Sequence, residues 1–430
     1  MTVNYIMSKD FTKELEELTK AEIISDETAE KIRNYYGRKQ SSSSGMLIAF
    51  AIIGAILVGL GIILIIAHNW DELSKPVKVA FAFLPLLIGQ FLCGFTLLKK
   101  QGQTAWVESS SILLFFAVGG SISLISQIYN IHGNISTFLF VWSLLCMPLI
   151  YIMRSYAVSL LYISLITYYA VVSNYTWSFS MKENINFWWM FLLVVPNYIN
   201  NFKKTPHSNS IKVHNWIIPI SLAIGLSTLS HRSEDFLYMA YLGLFSAFYT
   251  LGNLPIYSQD KRRSNGFLVV GSLGTISLLL TLSFNSFWER RENAENLFGL
   301  EFMAALITCL VALTLAGWQL KKKNHTGIIL IQFAFLIFIP LYILGNYIPF
   351  ISQSLINILI LTISISLIKS GTKENHLGLI NYGMLVITAL IICRFFDSEI
   401  TFVIRGLLFI AVGAGFFAAN YFILKKRKQK

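Results

Sequence analysis

Long apolar runs follow one another through most of this chain, and they constrain its fold more than any other feature. They lie near 46–67, 77–98, 106–127, 136–153, 156–173, 186–202, 214–230, 235–252, 266–284, 298–319, 326–344, 347–368, 377–393 and 400–423. Most are as long as the roughly 17 residues with which a helix can cross a bilayer. The runs are continuous, whereas strands of a membrane barrel alternate apolar and polar residues. The sequence therefore predicts an all-α polytopic membrane protein with about fourteen transmembrane helices.

The composition excludes two other classes of protein. Only 13% of the 430 residues are charged, against roughly 25% in soluble domains, so an ordinary soluble enzyme is excluded. Intrinsic disorder is excluded because 55% of the residues are hydrophobic and 14% are aromatic, whereas disordered chains are polar and poor in aromatics.

The Lys and Arg residues divide unevenly between the two sides of the predicted membrane domain. With the N-terminus inside, the inner loops and the C-terminal tail hold 19 of them, and the outer loops hold seven: Lys75, Lys78, Lys182, Arg232, Arg290, Arg291 and Arg394. Cytoplasmic loops collect such residues, so the asymmetry predicts an even number of spans and cytoplasmic N- and C-termini. It also accounts for the net charge of +12, and we therefore predict no nucleic-acid binding.

The chain divides into four predicted parts. Residues 1–40 form a cytoplasmic amphipathic helical module, in which Ser25 precedes two acidic residues as an N-cap does. Residues 41–45 are a Ser/Gly linker, 46–424 the polytopic transmembrane domain and 425–430 a basic cytoplasmic tail. The first run is longer than the roughly 7–15 apolar residues of a signal peptide, so we expect it to be retained as a span.

A first polar cluster follows the first run on the predicted outer face, and it consists of His68, Asn69, Trp70, Asp71 and Glu72. One interpretation is a turn, with Trp70 in the interfacial aromatic belt and Ser74 capping the next helix. The other is that His68, Asp71 and Glu72 supply metal ligands or a proton relay. Both interpretations stay open at this point.

A second polar cluster follows the third run on the same predicted face and contains Gln127, Tyr129 and His132. The segment from Gln127 to Gly133 is also suited to ending a helix, because Asn and Gly tolerate the backbone of a helix C-cap. A functional role and a helix end are therefore alternative interpretations of these residues.

A third polar cluster forms the last outer turn, with Arg394 and Asp397, and Arg405 lies one to two turns inside the final run. An arginine at that depth either extends to the interface or pairs with an acid in a cavity. We predict the second arrangement, with Arg405 turned into the bundle and a carboxylate such as Asp71 or Asp397 nearby. The three clusters would then form one outer-face pocket.

Motifs of established chemistry are missing from the sequence. It contains no Walker A motif, no H-E-x-x-H, no G-x-S-x-G and no dinucleotide fingerprint. The four cysteines form no C-x-x-C pair of the kind that holds zinc. We therefore predict no catalytic residues, no metal and no cofactor.

The first third of the chain resembles a known family. The resemblance is carried by Ile24–Glu27, the segment Ala67–Leu73 with its His-Asn-Trp-Asp-Glu core, Gln127–Tyr129 with Gly133, and Trp142–Pro148. This pattern, over roughly 10–160, resembles the predicted membrane proteins grouped as domain of unknown function 2157 (DUF2157). The resemblance implies a protein of the bacterial cytoplasmic (inner) membrane, and it implies no particular reaction.

Three classes of function fit these features, and the lipid bilayer is the partner in each. The first is a non-enzymatic, transport-like envelope protein such as a lipid flippase, which should contain a wide polar groove. The second is a scaffold or sensor that binds a cytoplasmic protein through residues 1–40. The third, which we rank last, is an intramembrane enzyme that uses His68, Asp71 and His132.

Overall fold

Helices make up the regular structure in the computed structural model. The residues that it describes are 15, 17–21, 23–32, 70–174, 185–229, 234–257, 264–289, 299–321 and 329–397, with 403, 406, 407, 410, 413–415 and 417. No strand occurs among these residues, which confirms the all-helical fold class.

Fourteen α-helices lie between residues 75 and 397 in the described part of the chain. They are α1 (Lys75–Phe95), α2 (Thr104–Ile128), α3 (Ile135–Met153), α4 (Tyr156–Asn174), α5 (Asn186–Lys204), α6 (Asn209–Leu226), α7 (Glu234–Gly252), α8 (Gly266–Leu282), α9 (Asn285–Glu289), α10 (Leu300–Lys321), α11 (Ile329–Gln332), α12 (Ala334–Gly345), α13 (Pro349–Lys373) and α14 (Leu377–Asp397). A π-helical turn, Thr96–Lys100, follows α1, and 3-10 turns follow α6 and α7.

The predicted count of about fourteen spans is not confirmed. In the described part of the chain, seven helices are long and apolar enough to cross a membrane: α1 with its π-helical turn, α2, α3, α4, α10, α13 and α14. The helices α5, α6 and α7 have 18 or 19 residues but are not among the seven. Charged and amide side chains occupy one end of each, such as Lys203, Lys212 and Glu234. The predicted run 46–67 lies outside the described residues, and of 400–423 only scattered positions are described.

Two structural features are typical of helices in a membrane. Pro85, Pro148, Pro196, Pro219 and Pro340 all lie inside helices, where membrane proteins tolerate proline better than soluble ones. Large apolar side chains also face outward from the spans, and Phe91 and Phe350 are each 72% exposed. In water so much apolar surface would drive association, whereas in lipid it is solvated. These features agree with a membrane protein.

The chain separates into two compact units, residues 1–80 and 81–430. In the first unit, residues 17–20 and 26–32 are helical. Ser25 caps the second of these segments, because its Oγ accepts a hydrogen bond from the backbone N–H of Thr28 at 3.3 Å. The linker 41–45 lies outside the described residues, and a protein partner for residues 1–40 stays a prediction.

Among the described residues of the second unit, two large apolar cores and a smaller one around Ala240 hold the helices together. One is centred on α3, α4 and α5, where Ile150, Tyr162 and Met190 are fully buried. The other joins α7 and α8 to helices α10–α14 around Phe335 and Phe338. Because lipid solvates apolar side chains as well as a protein core does, tight packing and buried hydrogen bonds must specify these contacts.

Candidate ligand-binding groove

Helices α1 to α4 surround an open groove with a volume of about 1460 Å³. Apolar side chains line most of its walls, including Phe83, Phe116, Leu145 and Leu161, so it is not the wide polar groove expected of a lipid flippase. Polar side chains collect at one end, where α2 passes into α3, and they include Gln127, Asn130, His132 and Asn134. We call this end, formed by Gln127 and residues 130–134, the mouth of the groove.

The backbone at the mouth is fixed by two helix caps. The helix α2 ends in a Schellman motif, in which Asn130 adopts a left-handed conformation (φ 49°) and the Ile131 N–H donates to the Ser126 carbonyl at 2.8 Å. Four residues later Asn134 caps α3, because its Oδ1 accepts from the Thr137 N–H at 2.7 Å. The predicted helix end at Gln127–Gly133 is therefore present, and the same segment presents polar side chains to the groove.

An aromatic wall lies deeper in the groove and is built around Trp142 of α3. The indole Nε1 donates to the Phe115 carbonyl at 2.9 Å, and the two rings are 5.3 Å apart. The indole lies against Gly119 so closely that a Cβ built there would be 2.6 Å from its Cε2 atom. These contacts hold the ring in one position before any ligand binds.

The first predicted cluster lies in the turn before α1, and His68 and Asn69 are outside the described residues. Trp70 is half-buried, and the Lys78 ammonium lies 5.6 Å from its ring centroid, within the range of a cation–π contact. Asp71 and Glu72 are exposed. Among the described residues no group of three or more His, Cys, Asp or Glu is arranged to hold a metal.

The second and third clusters occupy different surroundings. Gln127 and His132 line the groove, whereas Tyr129 is exposed and not part of its lining. Arg394 was expected in a turn but belongs to the last turn of α14, which continues to Asp397. Its guanidinium donates to the carbonyl and the hydroxyl of Ser283. Arg405 lies outside the described residues, so the single outer-face pocket stays a prediction.

A polar cap that was not predicted from the sequence lies at the opposite end of these helices. The Glu108 carboxylate of α2 accepts hydrogen bonds from the backbone N–H groups of Tyr156 and Ala157, each at 3.0 Å, and from the Ser155 hydroxyl. The Ser155 Oγ in turn accepts from the Val158 N–H at 3.1 Å. The first three N–H groups of α4 are thus satisfied, and a negative charge lies at the positive end of the helix dipole.

A buried polar cluster near this cap was also missed. His214 is 1% exposed, and its Nδ1 lies 2.8 Å from the Ser210 carbonyl. Since a carbonyl only accepts, a neutral His214 ring carries its proton on Nδ1 and accepts at Nε2 from Ser159, 3.2 Å away. The neighbouring Asn215 accepts from the Tyr198 hydroxyl at 2.6 Å. The signal in the sequence was a His-Asn pair at the start of an apolar run.

The fold and the groove define the class: a helical membrane protein with a large amphiphilic groove. Residues 16–159 match the model of a family described as "Predicted membrane protein (DUF2157)", which confirms the resemblance over about a third of the chain. No curated protein and no solved structure matches the chain. The matched segment includes α1, α2 and α3 with the mouth of the groove, whereas most of α4 and all later helices lie beyond it.

Proposed function

We propose that this protein binds a lipid-like amphiphile in the groove between α1 and α4, as part of a transport-like role in the bacterial cytoplasmic membrane. The observation that carries the proposal is the combination of a polar mouth with apolar walls in one groove. Sites for drug-sized ligands are typically about 300–1,000 Å³, and this groove is larger, at about 1460 Å³. Its size and its two kinds of surface suit a molecule with a polar headgroup and hydrocarbon tails.

Two leucines of α3 provide a matched test of this proposal. Leu145 lines the groove and is 56% exposed, whereas its neighbour Leu144 is 47% exposed and is not part of the lining. Leu145→Trp adds bulk inside the groove, and Leu144→Trp adds the same bulk outside it. We expect the wild type and Leu144→Trp to retain bound lipid after extensive washing in detergent, and Leu145→Trp to lose most of it.

The measurement is native mass spectrometry of the purified full chain, which counts the lipid molecules that remain on each protein. The thermal unfolding of both variants is recorded beside it, so that loss of lipid is separated from loss of fold. Equal lipid retention by a folded Leu145→Trp variant and by Leu144→Trp would contradict the proposal, as would a wild type that retains none.

We also propose a multi-pass arrangement with both termini in the cytoplasm. The end of α1–α4 near Glu108 carries Lys99, Lys100 and Arg154, and it belongs to the side for which the sequence predicts 19 Lys and Arg residues, against seven on the other side. Because positive charge marks the cytoplasmic side, the mouth would open at the outer face.

Two exposed glycines test this orientation. A Cβ built at Gly102, after α1, or at Gly133, in the mouth, meets nothing within 4 Å, so a cysteine fits at either position. In a chain whose native cysteines are replaced, Gly133→Cys should react with a membrane-impermeant maleimide added to spheroplasts. Gly102→Cys should react only in inside-out vesicles. The reverse pattern would show that the orientation is inverted.

A further inference from the structure

We infer that the occupant of the groove is an uncharged lipid of the outer leaflet, with a headgroup that carries hydroxyl groups. This inference rests on the proposed function, because it names the ligand of the same groove. Three features of the groove support it: the length, the chemistry of the mouth, and the surface between the mouth and the inner end.

The length of the groove corresponds to one leaflet. On α2 its lining extends from Phe115 to Gln127, which is about 18 Å at 1.5 Å per residue. On α3 it extends from Ile135 to Leu145, or about 15 Å. Half of the hydrocarbon core of a bilayer is also about 15 Å. A lipid whose headgroup lies at the mouth would therefore place its tails along the aromatic wall and reach the midplane.

The chemistry of the mouth selects the headgroup. Among the described residues that line the groove there is no Lys, Arg, Asp or Glu. Phosphate groups in proteins are bound mainly by Arg and Lys, so no Lys or Arg side chain of this lining pairs with an anionic headgroup. The amides of Gln127, Asn130 and Asn134 both donate and accept hydrogen bonds, as hydroxyl groups do. The mouth is thus complementary to an uncharged headgroup with hydroxyls.

Below the mouth, the surface is less polar than its residues suggest. The Ser121 hydroxyl donates to the Ala82 carbonyl at 2.7 Å, and the Ser164 hydroxyl donates to the Leu160 carbonyl at 2.9 Å. Each hydroxyl proton is therefore used within the protein. Gln90 of α1 also lines the groove, and its amide limits how far an apolar tail extends. Apart from Ser123, the section between Gln90 and the mouth is suited to hydrocarbon.

The test uses the full chain, stripped of lipid and offered three probes with identical acyl chains. The probes are glucosyl-diacylglycerol, diacylglycerol and the anionic phosphatidylglycerol, and bound lipid is counted by native mass spectrometry. We expect the wild type to bind glucosyl-diacylglycerol best and to prefer it to phosphatidylglycerol by about tenfold. The affinity for diacylglycerol, which has a single hydroxyl, should lie between the affinities for the other two lipids.

Two variants at the mouth make the test specific. Gln127→Lys places a cation beside the headgroup and should reverse the preference toward phosphatidylglycerol. Tyr129→Lys adds the same charge to an exposed neighbour that does not line the groove, and it should leave the preference unchanged. A wild type that binds phosphatidylglycerol as well as the uncharged lipids would overturn the inference about the headgroup, as would a Gln127→Lys variant with unchanged preference.

The leaflet is tested with a photoreactive glucosyl-diacylglycerol. Added to spheroplasts it should crosslink to peptides that contain residues 115–145, and added to inside-out vesicles it should not. Crosslinking only from the inside-out vesicles would overturn the assignment to the outer leaflet. The proposed function fails separately, because it requires only that some lipid is retained and that Leu145→Trp removes it.

Discussion

Glu108→Ala is expected to destabilise the folded protein by about 2–3 kcal/mol, the cost of losing hydrogen bonds to a charged group and leaving their donors unpaired. The carboxylate accepts from two backbone N–H groups of α4 and from the Ser155 hydroxyl. Ser155 is fully buried, so water does not readily replace the missing acceptor there. The effect should therefore exceed that of an ordinary surface truncation, which is usually within about 0.5 kcal/mol.

Thermal unfolding of the full chain in detergent, followed by tryptophan fluorescence, measures this effect. The unfolding temperature of Glu108→Gln should lie between those of the wild type and Glu108→Ala. The amide retains one acceptor oxygen but turns an NH₂ group toward the other donors. Glu72→Ala removes an exposed carboxylate and serves as the control. If Glu108→Ala unfolds at the same temperature as Glu72→Ala, the carboxylate does not stabilise the start of α4.

The apolar runs predicted the positions of the helices well, because burial in lipid or protein requires a continuous apolar segment. Twelve of the fourteen runs coincide with helices, and the other two fall mostly outside the described residues. The run 326–344 shows the limit of this reasoning, since it breaks at Phe333 into α11 and α12. There Gln332 is 4% exposed and its amide donates to Gln319 at 2.7 Å. That partner belongs to another helix, so periodicity alone does not reveal it.

The candidate site was predicted only in part. Polar residues at the end of the third run indicated where α2 ends, and Gln127 and His132 do line the groove. The groove itself depends on contacts between helices, such as the hydrogen bond from Trp142 to the Phe115 carbonyl. Glu108 and Ser155 are likewise 47 positions apart. A hydropathy pattern gives the length of each helix but not which faces meet, so these pairings were not predictable from it.

The contact between α7 and α8 depends on glycine. Replacing a glycine at this contact is therefore expected to have the second large effect on the stability of the protein. A Cβ built at Gly271 would lie 2.4 Å from the backbone nitrogen of Tyr249 and 2.7 Å from the carbonyl oxygen of Phe245. A Cβ built at Gly252, at the end of α7, would likewise lie 2.4 Å from the backbone nitrogen of Leu268. Small residues allow membrane helices to pack at such short range. Because the opposing atoms belong to the backbone, a rotamer change cannot relieve the clash.

Gly271→Ala is therefore expected to force the two helices apart. It should destabilise the folded protein by about 1–3 kcal/mol or more, as overpacking does. Gly317→Ala is the matched control, because Gly317 lies in α10 and a Cβ there meets nothing within 4 Å. Alanine favours a helix over glycine by up to about 1 kcal/mol, so the control should unfold at the same temperature as the wild type or slightly higher. The unfolding temperature should thus fall for Gly271→Ala and stay the same or rise for Gly317→Ala. This difference separates the effect of close packing from the effect of helix propensity. A Gly271→Ala protein as stable as the Gly317→Ala protein would mean that α7 and α8 do not approach each other at Gly271.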